Sequence, residues 1–296
     1  MPNPTFTVIV PTFERREPLR RCLLSLNAQT LPRAALEVVV VFDDDTGEVD
    51  EQAIAATCPG LEIHVVRQPH RGPAAARNRG AEIAGGRYLA FTDDDCRPAP
   101  DWLMVLQRHL SRAEDTVAVG GRVVNVLESN IFASASQTLV DFLYAYYNEP
   151  PTQARLLTSN NLCIPAAAFR DMGGFDETFD GAGGEDRELC LRWCHEGRRL
   201  IYAPDAVVEH LHDMTLKQFL RQHLTYGKGG WRLRERAAAH GFGPIRLEPI
   251  DFYKRLLTYP LRSHRTAHPW RIAGLFAVSQ IATGAGYVRA RFGAKR

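Results

Sequence analysis

Tyr88-Leu89-Ala90-Phe91-Thr92-Asp93-Asp94-Asp95 is the stretch that decides the fold. Its first four residues have the length and composition of a buried strand. Three carboxylates then follow almost at once. In open α/β sheets ligands sit outside the carboxyl ends of the strands, so acids placed there are candidates for binding. A second triplet, Asp43-Asp44-Asp45, ends the β-branched run Leu36–Phe42, which reads as a strand covered on both faces. Aspartate is also common where strands turn, and for this second triplet that plainer reading stays open.

Outward from these strands the first half alternates. Phe6–Val10 reads as a strand ended by Pro11. Pro18 opens a helix with Leu19, Cys22, Leu23 and Leu26 on one face. A short helix is expected over 50–57, a strand over Leu61–Val66, and a helix over Pro73–Ala84 closed by Gly85 and Gly86. Trp102–Leu110 reads as another helix. Such alternation predicts a mostly parallel sheet covered on both sides. After about Val117 the pattern loosens. Strands are expected at Val123–Leu127, Leu156–Ile164, Leu200–Ala203 and Ala206–His210. Helices are expected near Phe142–Tyr147, at Glu185–His195 and over 215–240. The division this suggests is a body over 1–214 and a helical extension over 215–296.

With 296 residues, 45% of them apolar and 24% charged, the chain is neither disordered, collagen-like nor a polytopic membrane protein. The formal charge of +2 is unevenly spread. From Phe252 onward there are nine basic residues and no acid, leaving 27 bases against 34 acids before it. A basic tail on an acidic body suits an anionic surface. Within the tail, Ile272–Val288 is 17 residues without a charge, bracketed by Arg271 and Arg289. That is short for a spanning helix, so a helix lying on a membrane or packed on the body is expected. The six cysteines are too scattered for a disulfide framework, and residues 1–4 lack the features of a signal peptide. A reducing cytosol is the expected compartment.

Six acids at one sheet edge would repel unless a cation or hydrogen-bond donors lie among them. A hard divalent metal answers that, since Mg²⁺ and Mn²⁺ use one or two carboxylates plus substrate phosphates. Arg77, near the start of a helix, is placed to meet a phosphate, or else belongs to a solvated basic face. Gly183-Gly184 leads into Glu185-Asp186, where the acids are either N-terminal helix caps or a general base beside a mobile loop. His210 ends a strand and is eligible as a metal ligand, though a lone histidine is more often structural.

Six motifs occur in one order: Val8-Ile9-Val10-Pro11-Thr12-Phe13, Asp43–Asp45, Ala76-Arg77-Asn78-Arg79-Gly80, Phe91-Thr92-Asp93-Asp94-Asp95, Gly173-Gly174-Phe175-Asp176 and Glu185-Asp186. Over roughly Thr5 to His212 the chain resembles the family 2 glycosyltransferases. That resemblance implies a GT-A fold, Rossmann-like, with a mostly parallel central sheet, helices on both faces and here a C-terminal helical extension. It also implies a nucleoside-diphosphate sugar donor, Mn²⁺ or Mg²⁺, and inversion at the anomeric carbon. By the same resemblance Thr12, Phe13 and Glu14 would border base and ribose, and Asp43 or Asp44 would hold the base. Arg77 would face the diphosphate, Asp93 or Asp94 the ribose, and Asp95 the metal, leaving Asp186 as the catalytic base. Arg16 is a further candidate for donor binding, and His210, from its place at a strand end, for the metal. Two departures stand out: Thr46-Gly47 after the second triplet, and Glu188 where the family often has a further aspartate.

The expected reaction is transfer of a sugar to a hydroxyl of a glycan or glycolipid acceptor, in surface polysaccharide or glycolipid synthesis. The expected place is the cytoplasm, peripherally on the inner face of the cell membrane. A hydrolase or nucleotidyltransferase using the same acids is a rival, although Thr12–Arg16 lacks the glycines of a phosphate loop. A non-catalytic adaptor docking through its basic tail is another. Nucleic-acid binding by the tail, whose aromatics interleave with its charges, is not expected.

Overall fold

The computed structural model describes residues 4–44, 51–111, 116–179, 181, 183–245, 247–263 and 267–293. Asp45, Thr46, Gly47, residue 50, Arg265, Lys295 and Arg296, all singled out by the sequence, lie outside the described residues. The first strand, β1, spans Phe6–Thr12 and leads to helix α1 over Arg16–Asn27, whose buried face is Leu19, Cys22, Leu23 and Leu26. β2, Leu36–Phe42, is buried at every position. Then come α2 (Glu51–Thr57), β3 (Glu62–Arg67), α3 (Pro73–Ile83), β4 (Tyr88–Phe91), the short β5 (Cys96–Pro98) and α4 (Trp102–Leu110). β1, β2, β3 and β4 pair in parallel, so the ends of β1, β2 and β4 share one edge.

Period-2 alternation explains why this sheet has two dry faces. Phe6, Val8 and Val10 of β1 point into one core with Leu23, Val38, Val40 and Trp102. Ile9 points into the other with Val39, Val41, Phe91, Phe169 and Trp193. Burying each such side chain stabilises the fold by about 1.5–3 kcal/mol. Pro11 does not end β1, contrary to its sequence reading. β4 pairs only as far as Ile9, so beyond it that flank of β1 needs no donor.

The second half adds β6 (Val117–Asn125), α5 (Ile131–Tyr147), β7 (Leu162–Pro165), α6 (Ala166–Asp171), α7 (Glu185–His195) and β8 (Arg199–His210). The strand order is β3-β2-β1-β4-β7-β6-β8-β5. β7 runs antiparallel to β4 and β6, β8 runs parallel to β6, and β5 closes the far edge antiparallel to β8. Boundaries differ from the sequence reading for identifiable reasons. α5 starts at Ile131 because the Asn130 side chain accepts from the amides of Phe132 and Ala133, a cap that a search for apolar runs passes over. Residues 156–161 are not strand, because the Asn148 amide takes the place of a strand partner. It accepts from the amides of Arg155 and Leu156 and donates to the Leu156 carbonyl. The two short strands at 200–210 are one strand bulged opposite Gly121 and Arg122, where Pro204 and Asp205 interrupt the pairing.

The extension consists of α8 (Leu216–Ala239), α9 (Ile250–Arg262) and α10 (Pro269–Gly293). α8 is a single helix begun by a reciprocal cap between Thr215 and Gln218. It meets α10 at backbone distance. A Cβ at Gly227 would lie 2.0 Å from the Thr283 carbonyl oxygen, and one at Gly286 would lie 2.1 Å from that of Leu224. Phe142 of α5 packs with Phe219, Phe252, Leu256, Ile272 and Phe276, so the extension shares a core with the body. Among the described residues no helix is long and apolar enough to cross a membrane.

Candidate active site

A cavity of about 390 Å³ opens at the edge where β1, β2 and β4 end. Thr12, Phe13 and Arg15 come from the end of β1, Asp43 and His70 from beyond β2 and β3, and Asp93, Asp94 and Asp95 from the end of β4. Ser136 and Gln137 of α5, Ser159 before β7, Glu185 and Asp186 of α7, His210 at the end of β8, His212 just beyond it, and Gln222 and Tyr226 of α8 line the rest of it. The parallel strands and the α7 terminus thus bring the two acidic motifs that are 91 residues apart into one cleft.

The three aspartates after β4 have different neighbours. Asp93 accepts from the Arg77 guanidinium at 2.8 Å. Asp94 accepts from the Thr12 hydroxyl at 2.7 Å and lies 3.2 Å from Arg15. Burial, then the charge of Asp95, push its carboxyl up to about 7 against those two contacts. Asp95 lies 2.8 Å from Arg15 and 3.3 Å from His210 Nε2. Burial works against its charge, but the hydrogen bond and charge of His210, followed by Arg15, hold it well below the usual carboxylate range. Antiparallel pairing of β5 with β8 sets Cys96 opposite His210, which is why residues 115 apart meet.

Arg77 belongs to no solvated face; its side chain is 5% exposed. It lies between Asp93 and Glu185, 3.5 Å from the latter, with its guanidinium 5.6 Å from the Phe175 ring centre. Its Nε has no hydrogen-bond partner among the described residues. Asn78, one residue on, exchanges hydrogen bonds with the backbone of Phe175 and so pins the Gly173–Asp176 loop to α3. Burial raises the carboxyl of Asp186, with Arg77 and Ser159 pulling the other way, and Oδ1 of Asp186 has no hydrogen-bond partner among the described residues. Burial and the neighbouring Asp186 push Glu185 up to about 7. The adjoining Gly183-Gly184 turn is fixed in place. With φ of 140° at Gly183, a Cβ there would meet the Tyr226 ring at 2.7 Å, and one at Gly229 of α8 would lie 1.9 Å from the Gly183 carbonyl oxygen. Glycine serves close approach to α8 at this turn.

Phe13, 42% exposed, stands 4.4 Å from the His70 ring, centre to centre. Asp43 lines the cavity, and its carboxylate is ringed by donors: the amides of Arg71 and Gly72, Gln68 Nε2, and His70 at 2.9 Å. It therefore shapes the loop before α3. Asp44 pairs with Arg67 and does not line the cavity. Neither do Glu14 and Arg16. The left-handed backbone at Glu14, φ 54°, presents Arg15 to the cavity instead. Glu188 is paired with Arg192, which also reaches the carbonyl oxygen of Gly174, so the family departure at this position is structural.

A carboxylate oxygen of Asp95, a ring nitrogen of His210 and the Cys96 sulfur lie within 4.8 Å of one another. The Cys96 thiol is buried, and a soft sulfur ligand suits Mg²⁺ or Mn²⁺ poorly. A carboxylate and an imidazole remain, with the Arg15 guanidinium already drawn to the same carboxylate. That donor set fits a divalent cation whose other positions are filled by water or phosphate oxygens. Arg15, His70, His212 and the whole α5–α8 wall carry no sequence signal of their own. Only the turn at Glu14 and the packing of α8 bring them in.

This is the GT-A fold. The computed structure aligns with the mannosyltransferase PcManGT from Pyrobaculum calidifontis, solved with GDP-Man and Mn²⁺, at a TM-score of 0.64 and 20% identity over 99% of this chain and 80% of that one. It aligns with S. aureus TarS in complex with UDP at 0.55 and 17% identity, over 98% and 91%. Residues 7–179 match the family described as Glycosyl transferase family 2, and residues 144–215 match the one described as N-terminal domain of galactosyltransferase. The chain belongs to glycosyl transferase family 2. It is 33% identical over 228 residues to the pre-mycofactocin glycosyltransferase of Mycobacterium tuberculosis, covering 75% of this chain and 46% of that protein. To glycosyltransferase AglE of Haloferax volcanii it is 28% identical over 231 residues, covering 76% and 73%. The chain spans about half the length of the first of these relatives.

Proposed function

We propose that this cavity transfers a sugar from a nucleoside-diphosphate sugar to an acceptor hydroxyl with inversion. The observation that carries the reading is the partnerless Oδ1 of Asp186, in the same cleft as the Asp95–His210 pair. An acceptor hydroxyl is a poor nucleophile, and a carboxylate with a free oxygen can take its proton as the new bond forms. Burial makes Asp186 a stronger base than an ordinary aspartate, which answers the weakness expected of an unperturbed carboxylate. The new bond joins the acceptor oxygen to the anomeric carbon while the bond to the diphosphate oxygen breaks. The proton goes to Asp186 and the nucleoside diphosphate leaves.

Asp95 and His210 would hold Mn²⁺ or Mg²⁺, which would supply charge neutralisation for the departing diphosphate. Phe13 and His70 form a platform for the base, with Thr12 and Asp94 beside it toward the ribose. Arg77 fixes Asp93 and Glu185 and so sets the shape of the diphosphate end. The α5–α8 wall, with Ser136, Gln137, Gln222 and Tyr226, receives the acceptor, a glycan or glycolipid destined for surface polysaccharide or glycolipid synthesis. Six free cysteines, five of them buried, suit a reducing cytoplasm.

The test is release of nucleoside diphosphate, UDP and GDP sugars being tried with Mn²⁺. Asp186→Asn is expected to lower turnover by about 10²–10⁴-fold, the usual share of a general base, while binding of the nucleoside diphosphate is kept. A variant with wild-type turnover overturns the assignment. A wild-type chain that binds nucleotide and transfers nothing favours the adaptor reading.

A further inference from the structure

The C-terminal helix α10 has two faces of different character. Ile272, Phe276, Ser279, Ala282 and Gly286 point inward onto α8 and the core beneath. The opposite face is exposed and apolar. Trp270 is 76% exposed, Ile281 74%, Val288 52% and Phe292 60%, and the other exposed positions from Arg271 to Arg289 are Val278 and small glycines and alanines. No charge occurs between Arg271 and Arg289, about 27 Å of helix at 1.5 Å per residue. An uninterrupted apolar stripe of that length is unusual on a water-facing helix. Its ends carry Trp270 beside Arg271, and Phe292 beside Arg289 and Arg291, all exposed. Lys254, Arg255 and Arg262 of the neighbouring α9 are exposed too, and no acid occurs after Asp251.

We infer that this face lies on an anionic lipid bilayer, with α10 parallel to the surface. An apolar stripe flanked by aromatic and basic residues is the composition of an interfacial helix. The arginines and lysine around it are complementary to acidic headgroups, which attract each nearby basic residue. α10 packs on α8 at backbone distance at Gly227 and Gly286, and among the described residues no helix is long and apolar enough to cross a membrane. Attachment is therefore to one leaflet. Because α8 also forms the acceptor wall of the cavity, this attachment would hold the acceptor side at a fixed position relative to the membrane.

The inference is independent of the transfer reaction, and its experiment keeps the two apart. The full chain is sedimented with vesicles of phosphatidylcholine alone or with phosphatidylglycerol, at low and high salt. Wild type is expected to pellet with the phosphatidylglycerol vesicles, and to do so less at high salt. Ile281→Glu, at an exposed position whose loss leaves the core intact, is expected to weaken vesicle binding at least about tenfold. Its melting temperature and its binding of nucleoside diphosphate stay unchanged. A wild type that ignores both vesicle types overturns the inference. So does a concentration-dependent dimer that Ile281→Glu dissolves while vesicle binding is absent, since that outcome assigns the face to a second copy. Loss of nucleotide binding in wild type counts against the transferase reading alone.

Discussion

β2 and β4 end in aspartates at the same edge of one sheet, and the two ends have different chemistry. After β2, Asp43 is surrounded by donors: two backbone amides, Gln68 and His70. Its charge is satisfied locally, and it holds the loop that starts α3. After β4, the aspartates face one another and share too few cations. Asp94 is pushed up to about 7, while Asp95 is held low by His210 and Arg15. Composition is the same in both places; the supply of donors decides which cluster builds the fold and which remains available for ligands. Groups whose environments push their titrations apart mark functional sites more often than structural ones.

The largest expected effects test that contrast directly. Asp95→Ala is expected to lower kcat/KM by about 10²–10³-fold, the range for removing one preorganised electrostatic contact at a leaving group. It should also abolish the dependence of donor affinity on divalent cation, read by nucleotide titration with and without EDTA. Its folding stability should fall modestly, because His210 and Arg15 lose the carboxylate that holds them, a loss offset only in part by relief of repulsion with Asp94. Asp43→Ala is expected to do the reverse in kind. It leaves the buried Gly72 amide and Gln68 without their acceptor, at about 1–3 kcal/mol for each orphaned group, so a total loss of roughly 2–6 kcal/mol should appear in denaturant unfolding. If Asp43→Ala unfolds like wild type while donor binding collapses, Asp43 is a ligand residue and the contrast fails.

Much of the first half was legible because its signals are local. Alternation along Phe6–Val10 and Leu36–Phe42, the Leu19–Leu26 face and the acids after Phe91 are read from neighbours in sequence, and the strands and α1 formed there. Parallel pairing then places Asp95 and Asp186 in one cleft, as expected. The second half hid its boundaries in single side chains. Asn130 begins α5, and Asn148 stands in for a strand partner at Leu156. Arg15 was hidden behind Arg16 by one left-handed residue. The glycines before Glu185 read as a mobile lid and are instead a close contact with α8, a distinction that only the position of Tyr226 and Gly229 makes.

The smallest effect sharpens the contrast most finely. Asp186 is raised by burial and pulled back by Arg77 and by hydrogen bonds from Ser159. If Asp186 takes the acceptor proton as proposed, turnover should fall as pH drops through the raised value, giving an acid limb above the 3.8 of an unperturbed aspartate. Ser159→Ala withdraws a hydrogen bond that favours the charged form. The acid limb should therefore move further up, with the plateau rate at high pH little changed. The stability sign runs opposite. A carboxyl raised by folding contributes stability at pH below its unfolded value and loses it as pH rises through the folded one. Asp186→Asn, which carries no charge to bury, should therefore resist heat at pH 8 at least as well as wild type. An acid limb that stays in place in Ser159→Ala would assign the titration to another group in the cleft, with Glu185, pushed to about 7 beside it, the next to be replaced by glutamine.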